Sequence, residues 1–126
     1  MKNDLWLADP RFLKDIKRHE RKWKTVSNDV RTVLLALSAD DRMISYLGKP
    51  MPGVPVGSGI WKIRKIASRS FPGKGIQSGF RMMISVTSHR SVCLELYHKS
   101  QQEHADPARF QFNPEECVEW YRARAL

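Results

Sequence analysis

Residues 80–100, FRMMISVTSHRSVCLELYHKS, contain two runs of alternating apolar and polar side chains separated by a short polar connection. Such alternation is typical of β-strands with one buried face, and the connection at residues 88–90 is short enough for a hairpin. A similar run precedes them, so the sequence predicts an antiparallel meander over residues 60–67, 80–87 and 91–99. A glycine-containing loop, residues 68–79, joins the first two strands.

The alternation assigns side chains to two faces of the meander, because successive residues of a strand point to opposite sides. If Trp61 and Ile63 point to the core, we expect their face to pack on helices. It also receives Phe80, Met82, Ile84, Val86, Val92, Leu94 and Leu96. The other face receives Lys62, Arg64, Arg81, Met83, Ser85, Cys93, Glu95, Tyr97 and Lys99. The sequence therefore predicts a cationic sheet face with one carboxylate and one phenol.

Helices and loops are predicted around the meander. A weak alternation over residues 4–8 indicates a short first strand, and Asp9-Pro10 is a cap signal for a helix that reaches residue 23. Helical spacing of apolar residues predicts a second helix over 26–37, and a capping box predicts a third that ends at residue 47. Three prolines and three glycines within residues 49–59 predict a loop.

The C-terminal segment also carries a cap signal. Asn113-Pro114 is followed by two glutamates, and Cys117, Trp120 and Tyr121 have helical spacing. This predicts a C-terminal helix over residues 113–124. The extension from residue 107 to 126 has three possible roles, which are to complete the core, to cover the basic face or to dock a partner. We favour completion of the core.

Together these elements predict one α+β domain over residues 1–126. A short strand and helices occupy residues 1–48, the three-strand meander occupies 59–100, and the C-terminal helix occupies 113–124. We expect the N-terminal helices to pack on one face of a small, mainly antiparallel sheet.

Charge is unevenly distributed along the chain. There are 22 Lys and Arg against 13 Asp and Glu, and between residues 43 and 102 nine basic side chains face a single acid, Glu95. Such a balance favours a polyanionic partner, nucleic acid first. No apolar run is long enough to span a membrane and no leader precedes the first helix, so we expect a soluble, cytoplasmic protein. The two cysteines have neither disulfide nor zinc-ligand spacing.

The cationic face suits cleavage of RNA without a metal or cofactor. In that reaction the 2′-hydroxyl attacks the adjacent phosphate, and arginine stabilises the charge that builds on the phosphoryl oxygens. One group must accept the 2′-hydroxyl proton and another must protonate the leaving 5′-oxygen. Glu95, Tyr97, His98 and Lys99 are the titratable candidates, and the sequence does not rank them. By alternation, His98 belongs with the core-side residues.

Three segments resemble a known family in their order and spacing. They are GSGIWKIRK at residues 57–65, PGKGIQSGFR at 72–81 and LELYHKS at 94–100. Together they resemble the RelE/ParE superfamily of type II toxins, and most of all its HigB-type members. The resemblance extends over residues 52–106 and more loosely over 26–47.

The resemblance implies a RelE-like fold and a ribosome-dependent mRNA endonuclease held inactive by a cognate antitoxin. The residues expected to act in catalysis are Arg64, Arg81, Tyr97, Lys99 and Glu95. Those expected to bind RNA are Lys62, Lys65, Arg69 and Lys74. Two alternatives remain open from the sequence, a gyrase inhibitor with the same fold and a nucleic-acid-binding module without enzymatic activity. The oligomeric state is not predicted.

Overall fold

In the computed structural model, which describes residues 4–124, helices and strands follow one another in an α+β arrangement. The helices are α1 (Pro10–Glu20), α2 (Val26–Ala39) and α3 (Met43–Leu47). The strands are β1 (Leu5–Ala8), β2 (Gly48–Pro50), β3 (Ile60–Ile63), β4 (Phe80–Val86), β5 (Ser91–His98) and β6 (Val118–Arg122). Two 3₁₀ turns, Pro107–Phe110 and Pro114–Glu116, lie in the segment before β6.

The six strands form one sheet in the order β2-β3-β4-β5-β1-β6. Neighbouring strands are antiparallel except for β1 and β5, which are parallel. The predicted meander is confirmed as β3, β4 and β5, although β3 ends at Ile63 rather than at residue 67. The weakly predicted first strand is also confirmed, and as β1 it lies inside the sheet between β5 and β6.

All three helices contribute side chains to a core on one face of the sheet. Phe12 and Ile16 of α1 and Leu34 of α2 are buried there with Met82 and Leu96 of the sheet. The N-terminal cap of α1 is as predicted, because the Asp9 carboxylate accepts a hydrogen bond from the Arg11 backbone N–H at 2.8 Å. Trp61 and Ile63 also point to this core, as the alternation predicts.

A β-bulge in β5 overturns part of the predicted face assignment. Glu95 pairs with Met83, but Cys93 pairs with the next residue of β4, Ile84, so Leu94 is an extra residue in β5. An extra residue reverses the alternation beyond it. Cys93 therefore joins the helix-side core, while Val92 and Leu94 lie on the opposite face. The assignment of these three residues from simple alternation was wrong.

The opposite face of the sheet carries a smaller apolar cluster. Its buried members are Ile60, Met83, Val92 and Leu94. Side chains of the C-terminal segment pack on it, namely Ala105, Phe110, Phe112 and Cys117, together with Leu7, Met51 and Val54. This end of the face that was predicted to be cationic is therefore apolar and covered.

The predicted C-terminal helix is wrong. The cap signal at Asn113 is used, since its side chain accepts from the Glu115 N–H, but it opens only one 3₁₀ turn before β6. Strand β6 pairs with β1, which would otherwise present an unpaired edge, and Val, Trp and Tyr favour strands. Trp120 packs edge-on against Phe12 at 5.3 Å, so the extension completes the core as expected.

The loop predicted over residues 49–59 begins later than expected. Gly48, Lys49 and Pro50 form the edge strand β2, which pairs with β3. A side chain at position 48 would collide with the Lys62 backbone carbonyl, so only glycine allows this approach. Pro50 is tolerated because β2 lies at the edge of the sheet.

Strand β5 extends past the end of β1. There, side chains form the backbone hydrogen bonds that a neighbouring strand would otherwise provide. The Leu96 N–H donates to the Asp15 carboxylate at 3.0 Å, and the His19 Nε2–H donates to the Leu96 carbonyl at 3.1 Å. Arg109 donates to the Leu94 carbonyl at 2.8 Å and to both carboxylate oxygens of Asp15 at 2.9 Å. Helix α1 and the C-terminal segment are thus both tied to the bulge.

We expect Arg109→Met to reduce the free energy of unfolding by about 3 kcal/mol, because it removes the nearer of the two arginines paired with the buried Asp15 carboxylate and leaves the exposed Arg18 at 3.5 Å. Urea denaturation followed by tryptophan fluorescence measures the change. Arg42→Met is the matched control, since Arg42 pairs with Asp40 on the surface and its removal should leave stability unchanged. Equal stability of the two variants would contradict the role of Arg109.

Candidate nucleic-acid interface

Four polar side chains lie together on the uncovered end of the sheet face opposite the helices. Lys62 pairs with Met83 and Arg81 pairs with Tyr97, and paired residues of adjacent strands share a face. Arg64 follows the end of β3, and its charge acts on Lys62, Arg81 and Tyr97. We call Lys62, Arg64, Arg81 and Tyr97 the sheet patch.

The guanidinium of Arg81 is held in place by backbone carbonyls. One of its terminal nitrogens donates to the carbonyl of Arg64 at 3.2 Å and to the carbonyl of Phe80 at 3.0 Å. Burial and the neighbouring Arg64 lower its pKa, although arginine remains charged at physiological pH. Its remaining N–H groups are therefore presented as a fixed cation to an anionic group above the patch.

The Tyr97 side chain is buried, and its hydroxyl is not used in a hydrogen bond to any described residue. The side chain is 1% exposed. Burial, together with the nearby Glu95 carboxylate, raises the pKa of the phenol, so it stays protonated at neutral pH. The Lys62 ammonium lies 6.0 Å from the centre of the ring. Tyr97 is therefore a proton donor without an acceptor.

The pKa of Lys62 is shifted in the opposite direction to that of Tyr97. Burial lowers the pKa of its ammonium below the ordinary value, and the positive charges of Arg64 and Arg81 lower it further. A lysine in such surroundings gives up its proton more readily than one on the open surface. The patch thus places an ammonium that loses its proton more readily, Lys62, next to a phenol that holds its proton tightly, Tyr97.

A cleft of about 490 Å³ opens beside the sheet patch. Its lining comes from α3 and β2, the end of β3, and the loop before β4. The lining residues are Ser45, Tyr46, Leu47, Gly48, Lys49, Arg64, Lys65, Ile76, Gln77, Gly79, Arg81 and Lys99. Five of these are Lys or Arg and none is Asp, Glu or His, so the potential inside the cleft is positive. We call it the cationic cleft.

The loop that lines the cleft is fixed to β5 through His98. The Ser78 carbonyl lies 2.8 Å from His98 Nε2, and the Lys99 N–H donates to the Gly79 carbonyl at 2.9 Å. His98 Nδ1 accepts from the Ser100 N–H, and the ring stacks on Phe71 at 4.9 Å. The core-side placement predicted for His98 is confirmed, and both ring nitrogens are already engaged.

Glu95 lies apart from the cleft. Its carboxylate accepts from the Gln102 side chain and from the Asp106 N–H, both at 2.9 Å. Burial raises its pKa, and these hydrogen bonds partly offset that effect. The structure thus brings Glu95 to the C-terminal segment, where it holds the turn after β5 in place.

The predicted RNA-binding residues are divided by the fold. Lys65 lines the cleft and Lys62 belongs to the sheet patch, whereas Arg69 and Lys74 are exposed on the loop between β3 and β4 and are not among the lining residues. The predicted catalytic residues Arg64, Arg81 and Lys99 meet in the cleft. The cleft therefore brings Lys65, which was predicted to bind RNA, together with three residues that were predicted to act in catalysis.

Sequence reasoning missed Tyr46 and Lys49, which also line the cleft. Both lie next to the break between α3 and the segment assigned to a loop. They reach the site because β2 pairs with β3 and carries the end of α3 to the cationic strand. The sequence signal that could have indicated this strand was Gly48, followed by two residues that can form an edge strand.

Comparisons of the chain with protein-family models, with curated proteins and with solved structures found no match. Within residues 4–124, no helix has the length and apolar character needed to cross a membrane. Among the same residues, no group of three or more His, Cys, Asp or Glu side chains is placed to hold a metal ion.

We expect stability to fall as the pH drops below about 6.5, because burial lowers the pKa of both His19 and His98 in the folded protein. Above the ordinary histidine pKa both states are neutral, and below it the unfolded chain takes up protons that the folded protein resists. Each such proton lowers the free energy of unfolding by about 1.4 kcal/mol per pH unit. Urea titrations from about pH 7.5 to about pH 5.5 measure the slope.

His104 provides the control, since it is an exposed histidine in the same chain. The variant His104→Gln should show the same pH dependence as the wild type. An unfolding midpoint that stays constant over this pH range would contradict the assignment of neutral, buried histidines.

Proposed function

We propose that this protein is the toxin of a type II toxin–antitoxin system and acts as a metal-independent endoribonuclease on translated mRNA at the ribosome. The observation that carries the proposal is the sheet patch. Arg81 is fixed there by two backbone carbonyls and pairs across the sheet with Tyr97, whose buried hydroxyl is unused, while Arg64 and Arg81 line a cleft without acidic lining residues. The resemblance of residues 52–106 to RelE/ParE toxins adds the ribosome and a cognate antitoxin as partners.

In the proposed reaction the 2′-hydroxyl attacks the neighbouring phosphorus atom. Lys62, whose pKa is lowered, accepts the 2′-hydroxyl proton in its neutral form, and Tyr97, whose pKa is raised, donates a proton to the leaving 5′-oxygen. Arg81 stabilises the extra negative charge on the phosphoryl oxygens. The products are a 2′,3′-cyclic phosphate and a 5′-hydroxyl, so atoms and protons balance.

Arg64 and Lys99 line the cleft with Arg81 and supply charge for the flanking phosphates. Lys65 and Lys49 extend the same positive lining toward α3. A single strand of RNA lying along the cleft would meet cations before and after the bond that is cut. This arrangement holds the chain in register while the chemistry takes place at the patch.

A second function, binding of nucleic acid without cleavage, is favoured by the burial of Tyr97. The phenol is 1% exposed, and the cleft lining includes no carboxylate or imidazole. In that case the cleft would bind single-stranded RNA through its charges alone, and the affinity would fall with salt by a slope of about 0.7 per phosphate contact. Product analysis of mRNA incubated with translating ribosomes separates the two functions.

We expect Arg81→Ala and Tyr97→Phe each to reduce RNA cleavage by roughly 100-fold or more, because each removes a group that acts only in the transition state. Cleavage is measured as new mRNA 5′ ends after induced expression in bacteria and as growth arrest. Tyr97→Phe is the sharper variant: the lost hydroxyl makes no hydrogen bond to any described residue, so the variant should keep its stability.

Arg31→Ala is the matched control, since Arg31 lies on α2 and stacks on Trp120, away from the sheet patch. It should arrest growth as the wild type does. If Tyr97→Phe folds and cuts RNA at the wild-type rate, Tyr97 is not the proton donor. If the wild type binds RNA and never cuts it, the binding function replaces the nuclease.

Lys62→Arg should keep RNA binding and lose cleavage, because arginine retains the charge but does not give up its proton. The rate of the wild type should rise with pH up to the pKa of Lys62, which burial and two arginines hold below the ordinary lysine value. Single-turnover cleavage measured across the pH range tests this. A rate that does not change with pH, with full activity of Lys62→Arg, would exclude Lys62 as the base.

A further inference from the structure

One wall of the cationic cleft exposes large apolar side chains. Tyr46 is 56% exposed and Ile76 is 38% exposed, and both line the cleft. The other large hydrophobic side chains exposed in the described part of the chain are Val56 and Val118, which lie elsewhere. Two of these four exposed side chains thus lie where positive charge is concentrated.

Tyr46 is fixed in position by a charged neighbour. The ammonium of Lys65 lies 4.2 Å from the centre of the Tyr46 ring, a cation–π contact that uses one face of the aromatic ring. The side chain nevertheless remains more than half exposed, so the rest of its surface is open to the cleft. Lys65 itself is placed to meet a phosphate next to whatever stacks on the ring.

We propose that Tyr46, with Ile76 in the same cleft, is a stacking site for one nucleobase of single-stranded RNA. This inference rests on the proposed function and names the form of RNA that the cleft selects. An aromatic ring beside a row of cations is how proteins bind unpaired strands, because every base has a face to stack and every nucleotide has a phosphate. A base in a duplex is already stacked on both sides and cannot use such a ring.

The dimensions and the charge pattern favour an RNA strand over a free nucleotide. The cleft, at about 490 Å³, is large enough for a small ligand, but the positive side chains continue beyond it to Lys62 on the sheet patch. A single nucleotide would leave these outer cations without a phosphate. A strand that stacks one base on Tyr46 carries its neighbouring phosphates along the cleft toward Arg81.

Binding of a 2′-O-methyl oligoadenylate tests the proposal, because this probe lacks the 2′-hydroxyl nucleophile and cannot be cut. We expect Tyr46→Ala to weaken binding roughly 5- to 150-fold in fluorescence anisotropy, and Tyr46→Phe to bind as the wild type. The dependence of affinity on salt should be unchanged in Tyr46→Ala, since no charge is lost. Lys65→Gln should instead reduce the salt slope by about 0.7.

A strand with one abasic nucleotide makes the test specific. We expect one abasic position to weaken binding to the wild type by as much as Tyr46→Ala does, and to have no further effect on that variant. The same oligoadenylate paired with oligouridylate should bind equally to wild type and Tyr46→Ala. Val118→Ala, which changes an exposed apolar residue outside the cleft, is the control and should behave as wild type.

The inference is overturned if folded Tyr46→Ala binds the single strand as tightly as the wild type, or if it loses affinity equally for single strand and duplex. Thermal unfolding of each variant confirms that it is folded. The proposed nuclease function fails separately, if the wild type shows Tyr46-dependent stacking and leaves mRNA intact in a translation reaction that contains ribosomes. If cleavage depends on Arg81 and Tyr46→Ala has no effect, the nuclease proposal stands and the stacking proposal is wrong.

Discussion

The structure depends on how the edge of β5 is satisfied where β1 ends. The Asp9 N–H donates to the Cys93 carbonyl at 3.0 Å, and beyond this point no strand of residues 4–124 lies beside β5 on that side. The backbone groups of Leu94 and Leu96 are paired instead by side chains of Asp15, His19 and Arg109. Two of these come from one face of α1, a single turn apart, so a helix replaces the missing strand.

The bulge at Leu94 divides the sheet face opposite the helices into an apolar part and a cationic part. On one side of the bulge, the reversed alternation brings Val92 and Leu94 onto that face, where the C-terminal segment covers them. On the other side, the original alternation continues and Tyr97 remains opposite Arg81. Glu95, the residue beside the bulge, is held by the segment that covers the apolar part. The bulge therefore sets the boundary of the cationic site.

The cleft collects charge from segments that are distant along the chain. Lys49 comes from an edge strand, Arg64 and Lys65 from the end of β3, and Lys99 from the turn after β5. Their mutual repulsion is tolerated because the site is open to water. At the neighbouring Lys62, burial lowers the pKa of the ammonium, and the charges of Arg64 and Arg81 lower it further. A bound polyanion would relieve the repulsion among these cations, which supports the proposed binding of RNA.

Local patterns in the sequence determined the meander, the first strand, the start of α1 and the cationic character of one sheet face, because these depend on the period of neighbouring side chains and on caps. Tertiary structure alone decided the bulge at Leu94, the strand character of residues 118–122 and the arrival of Tyr46 beside Lys65. Each of these follows from pairing between distant segments: an edge needed a partner, or an extra residue was accommodated across a ladder. A short apolar spacing such as that of Cys117, Trp120 and Tyr121 fits a helix or a strand, and the open edge of β1 selects the strand.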